Sequence, residues 1–284
     1  YKKYLGIDPN PHDMGPPESK ASRRLLAEFE ARRKEHEKEN RRKHWDYAIG
    51  MSKVDGGEHS QGFLDLVVRE INGEIPEGET LKRTLERWKK LGFKDDDLLA
   101  QAETELSAAR MEELQRSPLQ SDFDYGRLCE THRRIFQDIF EWAGQFRTRD
   151  IFKHEQVLGG ASVDYSKATD ISSDIQKAIS DMTGKNYTSM SLDKLAENFV
   201  LDLRDIWEVH PFREGNTRTT VHFCCDFIES QGIPLNRTPL ASNSKFTRDA
   251  LTAASKTYES YSGHTQHEPL IRIVKDSLWR IERT

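Results

Sequence analysis

A nine-residue segment, from His210 to Arg218, brings together side chains that could handle a phosphate and a proton. An imidazole, with an ordinary pKa of about 6.5, can accept a hydroxyl proton at neutral pH, which suits His210 to the role of a base. Glu214 offers the hard oxygen ligand that Mg²⁺ prefers, and Asn216 adds a donor for an anion beside Arg218. Together they predict phosphoryl or nucleotidyl transfer.

Two helices are expected to position this segment. Apolar residues at helical spacing predict a buried helix that ends at His210: Leu195, Phe199, Leu203 and Ile206. A second helix begins near Arg218 and runs to Gly232, so the segment lies at a helix N-terminus, where free N–H groups favour an anion. Taken singly, His210 could be a helix-terminal histidine and Glu214 a first-turn acid, but a purely structural loop does not need the whole combination. No Gly-rich loop ends in Gly-Lys-Ser/Thr, which excludes a standard P-loop NTPase.

Residues 210–218, His-Pro-Phe-Arg-Glu-Gly-Asn-Thr-Arg, resemble the signature loop of Fic-domain proteins. That loop reads His-Pro-Phe, any residue, Asp or Glu, Gly-Asn-Gly-Arg, two residues, Arg. The resemblance covers residues 95–284 and includes Trp142-Ala143-Gly144, with Arg147 just after it. It implies a protein adenylyltransferase that moves AMP from ATP to a Ser, Thr or Tyr hydroxyl of a target protein.

The resemblance also assigns roles within the loop. His210 would deprotonate the target hydroxyl, and Glu214 would hold Mg²⁺ on the ATP phosphates. Asn216 would stabilise the transferred α-phosphate, and Arg218 would bind the β-phosphate, which makes both catalytic beside His210. The expected nucleotide-binding residues are Gly215, Asn216, Thr217 and Arg218.

The stretch from Gln145 to Val163 contains some alternation of apolar and polar residues and the pair Gly159-Gly160, which predict a short β-hairpin. In Fic-domain proteins this segment is a flap that aligns a target segment by strand-like pairing. The residues expected to dock a target are Arg147, Thr148, Arg149, Asp150, Ile151, Phe152 and Lys153.

Two positions depart from the Fic pattern. Thr217 stands where adenylylating members have Gly, and Val221 stands where they have a second Arg that holds the γ-phosphate. A phosphotransferase or another nucleotide-derived transfer is therefore an alternative, as is a nucleotide-binding interaction module without catalysis. The presence of His210 argues against the last, because binding alone needs no base.

Residues 45–90 resemble the three-helix antitoxins that silence Fic toxins, whose inhibitory helix carries Ser or Thr, three residues, Glu, then Gly or Asn. Ser52 and Gly57 fit this motif, but Gly56 occupies the Glu position. Gly56 could be an ordinary helix C-cap, a natural loss of inhibition, or a deliberate Glu-to-Gly change, and the fit of the surrounding residues favours the last. Because Val221 removes the usual partner of that Glu, Arg218 would have to replace it.

The predicted fold class is all-α: a Fic-type helical core with a hairpin flap, behind an N-terminal three-helix module. The expected divisions are an irregular, Pro-rich arm over 1–18, an antitoxin-like inhibitory module over 19–92, and a catalytic domain over 95–284.

With 32% charged residues, no long apolar run and no signal peptide, we expect a protein without a membrane span. The net charge of −5 argues against nucleic-acid binding, and three cysteines without metal or disulfide spacing favour the cytoplasm. The first residue, Tyr1, is consistent with a fragment of a longer protein; a homo-oligomer is possible.

Overall fold

The computed structural model describes residues 20–264 and 266–279. Within these ranges the chain forms α-helices and two 3₁₀ turns, Gln156–Leu158 and Tyr187–Ser189, and no β-strand. The helices are α1 (Lys20–Ser52), α2 (Gln61–Ile71), α3 (Glu79–Leu91), α4 (Asp96–Arg116), α5 (Tyr125–Phe136), α6 (Ile171–Thr183), α7 (Leu192–Val209), α8 (Asn216–Ser230), α9 (Thr238–Ala241), α10 (Ser244–Ala253), α11 (Lys256–Ser262) and α12 (Glu268–Trp279). The predicted all-helical class is confirmed, and the predicted arm of residues 1–18 lies outside the described residues. None of the helices in the described ranges is long and apolar enough to cross a bilayer.

The chain divides into two compact units between Arg42 and Lys43, inside α1. The described part of the first unit is helical and carries charged side chains that pair along its surface. Arg24 Nε lies 2.9 Å from Glu28 Oε1, and Arg33 Nε lies 3.5 Å from Glu37 Oε1. Pairs of this kind, four residues apart and exposed, add little to stability, and this segment is a solvated, charged helix.

The second unit, from Lys43 onward, holds the hydrophobic core, with α7 near its centre. The predicted apolar face of α7 is buried, and the helix packs against α6, α8 and α12. α5 in turn packs against α4 and α8. This arrangement places the C-terminus of α7 and the N-terminus of α8 in the interior, where neighbouring helices surround the loop between them.

Three helices, α1, α2 and α3, form where the N-terminal module was predicted. Ser60 caps α2 by accepting the N–H of Phe63 at 3.3 Å. α3 is attached to α4, since the Trp88 indole donates to Glu105 Oε2 at 2.9 Å. The interpretation as a separate antitoxin-like module is not supported, because α2 and α3 lie in the same compact unit as the rest of the core.

The β-hairpin predicted between Gln145 and Val163 is wrong: this segment forms a loop with one 3₁₀ turn. Gly159 and Gly160 both have positive φ angles, 62° and 95°, and together they reverse the chain. The Glu155 N–H then donates to the Ala161 carbonyl at 3.0 Å, and the Gly160 N–H donates to the Glu155 carbonyl at 2.9 Å. These bonds close a compact loop, so no strand ladder can extend from it.

Candidate active site

His210 ends α7 with its backbone in the left-handed region, at φ 50° and ψ 57°. Its ring is buried beside Tyr165 and Trp207, with centroid distances of 4.1 and 5.4 Å. Nδ1 lies 3.3 Å from the Trp207 carbonyl oxygen, which can only accept, so Nδ1 carries the ring proton. Nε2 is buried and finds no hydrogen-bond partner among the residues that the structure describes. The unpaired lone pair on Nε2 can therefore receive a proton from a group that reaches it.

The surroundings of His210 hold its pKa well below the ordinary range. Burial, which disfavours the charged ring, is the largest cause, and the positive charge of Lys153 is the second. The charges of Arg248 and Arg147 act in the same direction. The ring is therefore neutral at pH 7, and its Nε2 lone pair is available.

Arg147 fixes the backbone on which His210 sits. Its Nε donates to the His210 carbonyl at 2.9 Å, and its backbone N–H donates to the Pro211 carbonyl at 2.8 Å. The rest of the guanidinium donates to the carbonyls of Arg149 and Ser166. A non-glycine residue with positive φ costs of order 1–3 kcal/mol, and these contacts offset that cost. The side chain predicted to belong to the docking flap is thus 3% exposed and lies beneath the loop.

Gly215 and Asn216 give the loop its shape. The Asn216 side chain accepts the Phe212 N–H at Oδ1 and donates to the Phe212 carbonyl through Nδ2, both at 2.8 Å. Gly215 has φ 77°, and a Cβ added there would lie 2.3 Å from the Phe136 ring. No side chain caps α8 at Gly215, so the first N–H groups of the helix are left for an anion. Asn216 therefore holds the loop closed, while the open helix terminus supplies the anion-binding donors.

The two departures from the Fic pattern, Thr217 and Val221, lie on α8, and both side chains pack into the protein. Thr217 Oγ1 accepts the Trp207 indole N–H at 3.0 Å, so its side chain points toward α7. Val221 is fully buried in the core. The Thr217 hydroxyl is thus engaged by Trp207, and the loop contains one motif arginine, Arg218.

Arg218 is 1% exposed and is surrounded by acids from two other parts of the chain. Its Nη2 lies 3.0 Å from Asp55 Oδ2 and pairs with Glu103 of α4, while Nη1 donates to Ser107 Oγ at 3.1 Å. Its Nε is buried and has no acceptor within the described ranges. The guanidinium is thus held by two carboxylates, and its Nε–H has no acceptor among the described residues.

The residues of the predicted inhibitory motif lie at the end of α1 and in the turn that follows it. Ser52 Oγ pairs with His59 Nε2 at 2.9 Å, and Gly57 packs against Thr104, whose Oγ1 would lie 1.9 Å from an added Cβ. Gly56 has φ 86° and nothing within 4 Å of an added Cβ, so its position faces open space. The carboxylate that reaches Arg218 comes from Asp55, because α1 ends at Ser52 and the turn that follows points Asp55 inward.

Glu214 is the carboxylate of the loop, and its side chain is 52% exposed. Its Oε2 lies 3.0 Å from the Nζ of Lys153 in the predicted flap. Within the described residues, no cluster of three His, Cys, Asp or Glu side chains could hold a metal. One accessible carboxylate fits Mg²⁺, which takes most of its ligands from water and phosphate, and does not fit an all-protein metal cage.

The remaining flap residues lie along a groove beside the loop. A cavity of about 510 Å³ is lined by Arg147, Thr148, Arg149, Asp150, Ile151 and Arg213. Phe152 is 65% exposed at its edge. The structure therefore brings Lys153 to Glu214 and leaves its neighbours in the flap facing an open, largely cationic groove.

His132, which no sequence motif singles out, links the loop to the Trp142-Ala143-Gly144 element. Its Nδ1 accepts the Gly144 N–H at 2.8 Å, so Nε2 carries the proton and donates to the Glu214 carbonyl at 3.0 Å. The ring stacks on Phe212 at 3.9 Å. Burial lowers the pKa of His132 to about 3, which keeps it neutral.

Acid is expected to weaken this arrangement. His132 has a pKa of about 3 in the fold and about 6.5 once unfolded, so the unfolded chain binds the extra proton. Its contribution to the free energy of unfolding is complete above about pH 6.5 and falls by up to about 1.4 kcal/mol per pH unit toward pH 3. Denaturant titrations of wild type and His132→Gln between about pH 7.5 and 5 measure the loss. Gln keeps hydrogen-bonding groups but cannot titrate, so equal pH slopes in the two proteins would contradict the assignment.

Three more charged residues of the site were missed by sequence reasoning: Asp55, Glu103 and Arg248. Arg248 lies on α10, with Nη1 3.3 Å from Asp55 Oδ1 and Nη2 2.9 Å from Glu155 Oε1. Glu103 and Ser107 lie four residues apart on α4, so both reach Arg218 from one face of that helix. Asp55 and Arg248 come from distant segments, and only the packing of helices brings them together.

Comparison with known proteins agrees with this geometry. Residues 122–228 match the Fic/DOC family. The chain is 26% identical over 175 residues to protein adenylyltransferase VbhT of Bartonella schoenbuchensis, covering 62% of this chain and 34% of that protein. It is 30% identical over 119 residues to the probable protein adenylyltransferase y4lH of Sinorhizobium fredii, covering 42% and 59%. The chain thus spans about a third and three fifths of these two curated relatives.

Among solved structures, the chain is similar to the N-terminal Fic domain of a VirB-translocated Bep effector protein with bound ADP from Bartonella quintana. The TM-score is 0.50 at 23% identity, over 66% of this chain and 87% of that one. This likeness supports the fold, in which α7, the loop and α8 lie at the centre. The segment that matches the Fic/DOC family includes the loop, and the chain is similar to proteins named protein adenylyltransferases.

Proposed function

We propose that this protein is a protein adenylyltransferase, which transfers AMP from ATP to a Ser, Thr or Tyr hydroxyl of a target protein. The observation that carries the proposal is the buried, neutral and unpartnered Nε2 of His210, on a loop that leads into the open N-terminus of α8. A base next to an anion-binding helix terminus is what phosphorus chemistry on a hydroxyl requires.

In the proposed reaction, the target hydroxyl oxygen attacks the α-phosphorus of ATP while His210 Nε2 takes the hydroxyl proton. A bond forms between that oxygen and phosphorus, the bond to the oxygen that bridges to the β-phosphate breaks, and pyrophosphate leaves with the electron pair. The Trp207 carbonyl, 3.3 Å from Nδ1, orients the ring and stabilises the imidazolium that forms.

The phosphates of ATP would lie against the N-terminus of α8. Its first N–H groups and the helix dipole favour the transferred phosphate, and the backbone of Gly215 allows close approach. Arg218 would bind the next phosphate with the guanidinium that Asp55 and Glu103 now occupy, and its Nε, which has no acceptor among the described residues, adds a further donor. The similar Fic domain from Bartonella quintana was solved with bound ADP, which is consistent with a nucleotide ligand for this fold.

Glu214 would hold Mg²⁺, which supplies positive charge to the phosphates when bound. Lys153 now pairs with Glu214 at 3.0 Å, so this pair must separate for the carboxylate to take a metal.

We expect Glu214→Ala to make ATP binding much less dependent on Mg²⁺, whereas Arg218→Ala should weaken ATP binding even at saturating Mg²⁺. Calorimetric titrations with ATP, with and without Mg²⁺, measure both effects. Lys153→Gln is the matched control, because it removes the partner of Glu214 and leaves the Glu214 carboxylate in place. An unchanged Mg²⁺ dependence in Glu214→Ala would remove that residue from the metal site.

The target would dock in the groove beside the flap. Its lining offers the charged side chains of Arg149 and Arg213 and the exposed backbone of the segment that ends at Lys153. Phe152, largely exposed at the edge, offers an apolar contact. An extended target segment lying there would bring its hydroxyl to His210, beneath which Arg147 is anchored.

Regulation is proposed to act through acids that occupy Arg218 before ATP arrives. Asp55, in the turn after α1, and Glu103, on α4, both pair with this guanidinium. A phosphate must compete with them, so the contacts lower the affinity for ATP. This proposal keeps the inhibitory role predicted for the end of the first helix and moves its acidic position from Gly56 to Asp55.

ATP labelled separately at the α- and γ-phosphates tests the proposed function. Transfer of the α label to protein supports adenylylation, and transfer of the γ label identifies the phosphotransferase that Thr217 and Val221 left open. Binding of ATP without transfer of either label would identify a nucleotide-binding interaction module. Either of the last two results would overturn the proposal.

A further inference from the structure

The loop at the α8 N-terminus carries a single motif arginine for a triphosphate. Arg218 is fully buried, and the position one turn further along α8 is occupied by the buried, apolar Val221. A nucleotide triphosphate carries charge on three phosphates, and charge-assisted donors are its usual partners in proteins. Besides the Mg²⁺ that Glu214 would hold and the exposed Arg213, the loop offers no further cation, so another cation for the outer phosphate would come from a different element.

Arg248 lies where such a cation is needed. Its Nη1 is 3.3 Å from Asp55 Oδ1, while the other oxygen of the same carboxylate is 3.0 Å from Arg218 Nη2. One carboxylate thus bridges two guanidiniums, so both can reach a single oxyanion group at once. A phosphate presents paired oxygens to guanidinium groups in the same way.

The opposite edge of Arg248 is anchored near the catalytic base. Its Nη2 is 2.9 Å from Oε1 of Glu155, a side chain that is 5% exposed. The same Glu155 oxygen lies 3.4 Å from the Tyr165 hydroxyl, and the Tyr165 ring lies against His210. Arg248 is therefore held on one side by a buried acid and offers its other side to Asp55.

Asp55 is suited to give way to a ligand. Its side chain is 41% exposed and lies in the turn between α1 and α2, followed by Gly56 in open space. The carboxylate can rotate into water without burying any charge, which Glu155 cannot do from its enclosed position.

We propose that Arg248 is the second polyphosphate-binding cation of this site and takes the phosphate beyond the one bound by Arg218. This inference rests on the proposed nucleotide site and adds to it a residue from α10, outside the signature loop. Asp55 then stands in for the outer phosphate until the nucleotide displaces it.

Calorimetric titration of the full chain with ATP and with AMP, both with Mg²⁺, tests the proposal. AMP lacks the two outer phosphates, so its affinity should not depend on Arg248. We expect Arg248→Gln to weaken ATP about tenfold to hundredfold and to leave AMP affinity unchanged. Arg248→Lys should recover part of the loss, because it keeps the charge but not the paired donors.

Two further variants separate phosphate binding from folding. Lys245→Gln removes an exposed cation from the same helix and should leave both affinities unchanged. The double variant Arg248→Gln with Glu155→Gln removes the acid that would otherwise be buried without a partner, and it should show the same selective loss of ATP.

The outcomes distinguish this inference from the function on which it rests. The wild type is expected to bind ATP more tightly than AMP. If Arg248→Gln prefers ATP over AMP by the same factor, Arg248 has no part in phosphate binding. Equal losses of ATP and AMP in the double variant would also overturn the inference, since they indicate a structural role. A wild type that binds neither nucleotide would overturn the proposed function itself, and this inference with it.

Discussion

Replacing His210 is expected to lower the rate of AMP transfer by about 10²–10⁴, the usual effect of removing a general base. Nε2 is the buried nitrogen that faces the reaction without a partner, and its low pKa keeps it ready to accept a proton at neutral pH. The affinity for ATP should change little, because the phosphates would contact α8 and Arg218. Labelling with α-labelled ATP measures the rate, and calorimetry measures the affinity.

The choice of substitution matters because His210 has a positive φ angle. Alanine disfavours that backbone conformation, so a loss in His210→Ala could come from a shifted loop. Asparagine tolerates the left-handed region and cannot act as a base at neutral pH, which makes His210→Asn the matched variant. Both variants should be inactive while binding ATP as the wild type does. Full labelling activity in His210→Asn would rule out the proposed base.

The elements that carry the loop could be predicted from local sequence. Leu195, Phe199 and Leu203 repeat at helical spacing up to His210, and the structure has α7 ending at Val209. The next helix is predicted to begin near Arg218, and it begins two residues earlier, at Asn216. Such features depend on neighbours within a few residues, so periodicity and capping residues reveal them.

The charges around the loop could not be predicted in the same way. Asp55 lies 163 residues before Arg218, and Arg248 lies 30 residues after it, on a helix that the signature does not include. Which residues meet there depends on how helices pack, and no local pattern encodes that. The hydrogen bonds of Asn216 could not be predicted from the sequence either. Its amide bonds to the backbone of Phe212 and so closes the loop.

The prediction of a β-hairpin in the flap was wrong for a physical reason. Alternation from Phe146 to Ile151 is short, and Gly159 and Gly160 adopt positive φ angles that fold the chain back on Glu155. A hairpin needs two facing edges that can pair, whereas here the Lys153 N–H donates to the Ser162 side chain at 3.2 Å. Side-chain bonds of this kind compete with a ladder and favour a compact loop.

Removing the acids at Arg218 is expected to strengthen ATP binding. Asp55→Asn keeps the shape of the side chain and removes the charge that competes with phosphate, and Glu103→Gln does the same on α4. Charge-assisted hydrogen bonds contribute about 1.5–3 kcal/mol, so the double variant should bind ATP about tenfold to hundredfold more tightly. Transfer activity at low ATP should rise in proportion.

The same substitutions should destabilise the protein without nucleotide. Arg218 is 1% exposed, and a buried guanidinium that loses its carboxylates costs about 3–5 kcal/mol. ATP supplies new anionic partners, so the double variant should show a lower melting temperature alone and a larger increase on adding ATP than the wild type. Thermal unfolding with and without ATP and Mg²⁺ measures both shifts.

Two control positions near Asp55 show whether the effect belongs to that carboxylate. Glu58→Gln removes an acid whose side chain is 79% exposed and paired with Lys53, so it should leave ATP affinity unchanged. Gly56→Glu adds an acid beside Asp55, but the position faces open space at φ 86°, so we expect a strained turn and no suppression of activity. If Asp55→Asn with Glu103→Gln lowered stability and left ATP affinity at the wild-type value, the acids would be structural counterions of Arg218. Strong inhibition by Gly56→Glu would instead restore Gly56 as the acidic position of the inhibitory motif, because a carboxylate there would then have to reach Arg218 by moving the turn after α1.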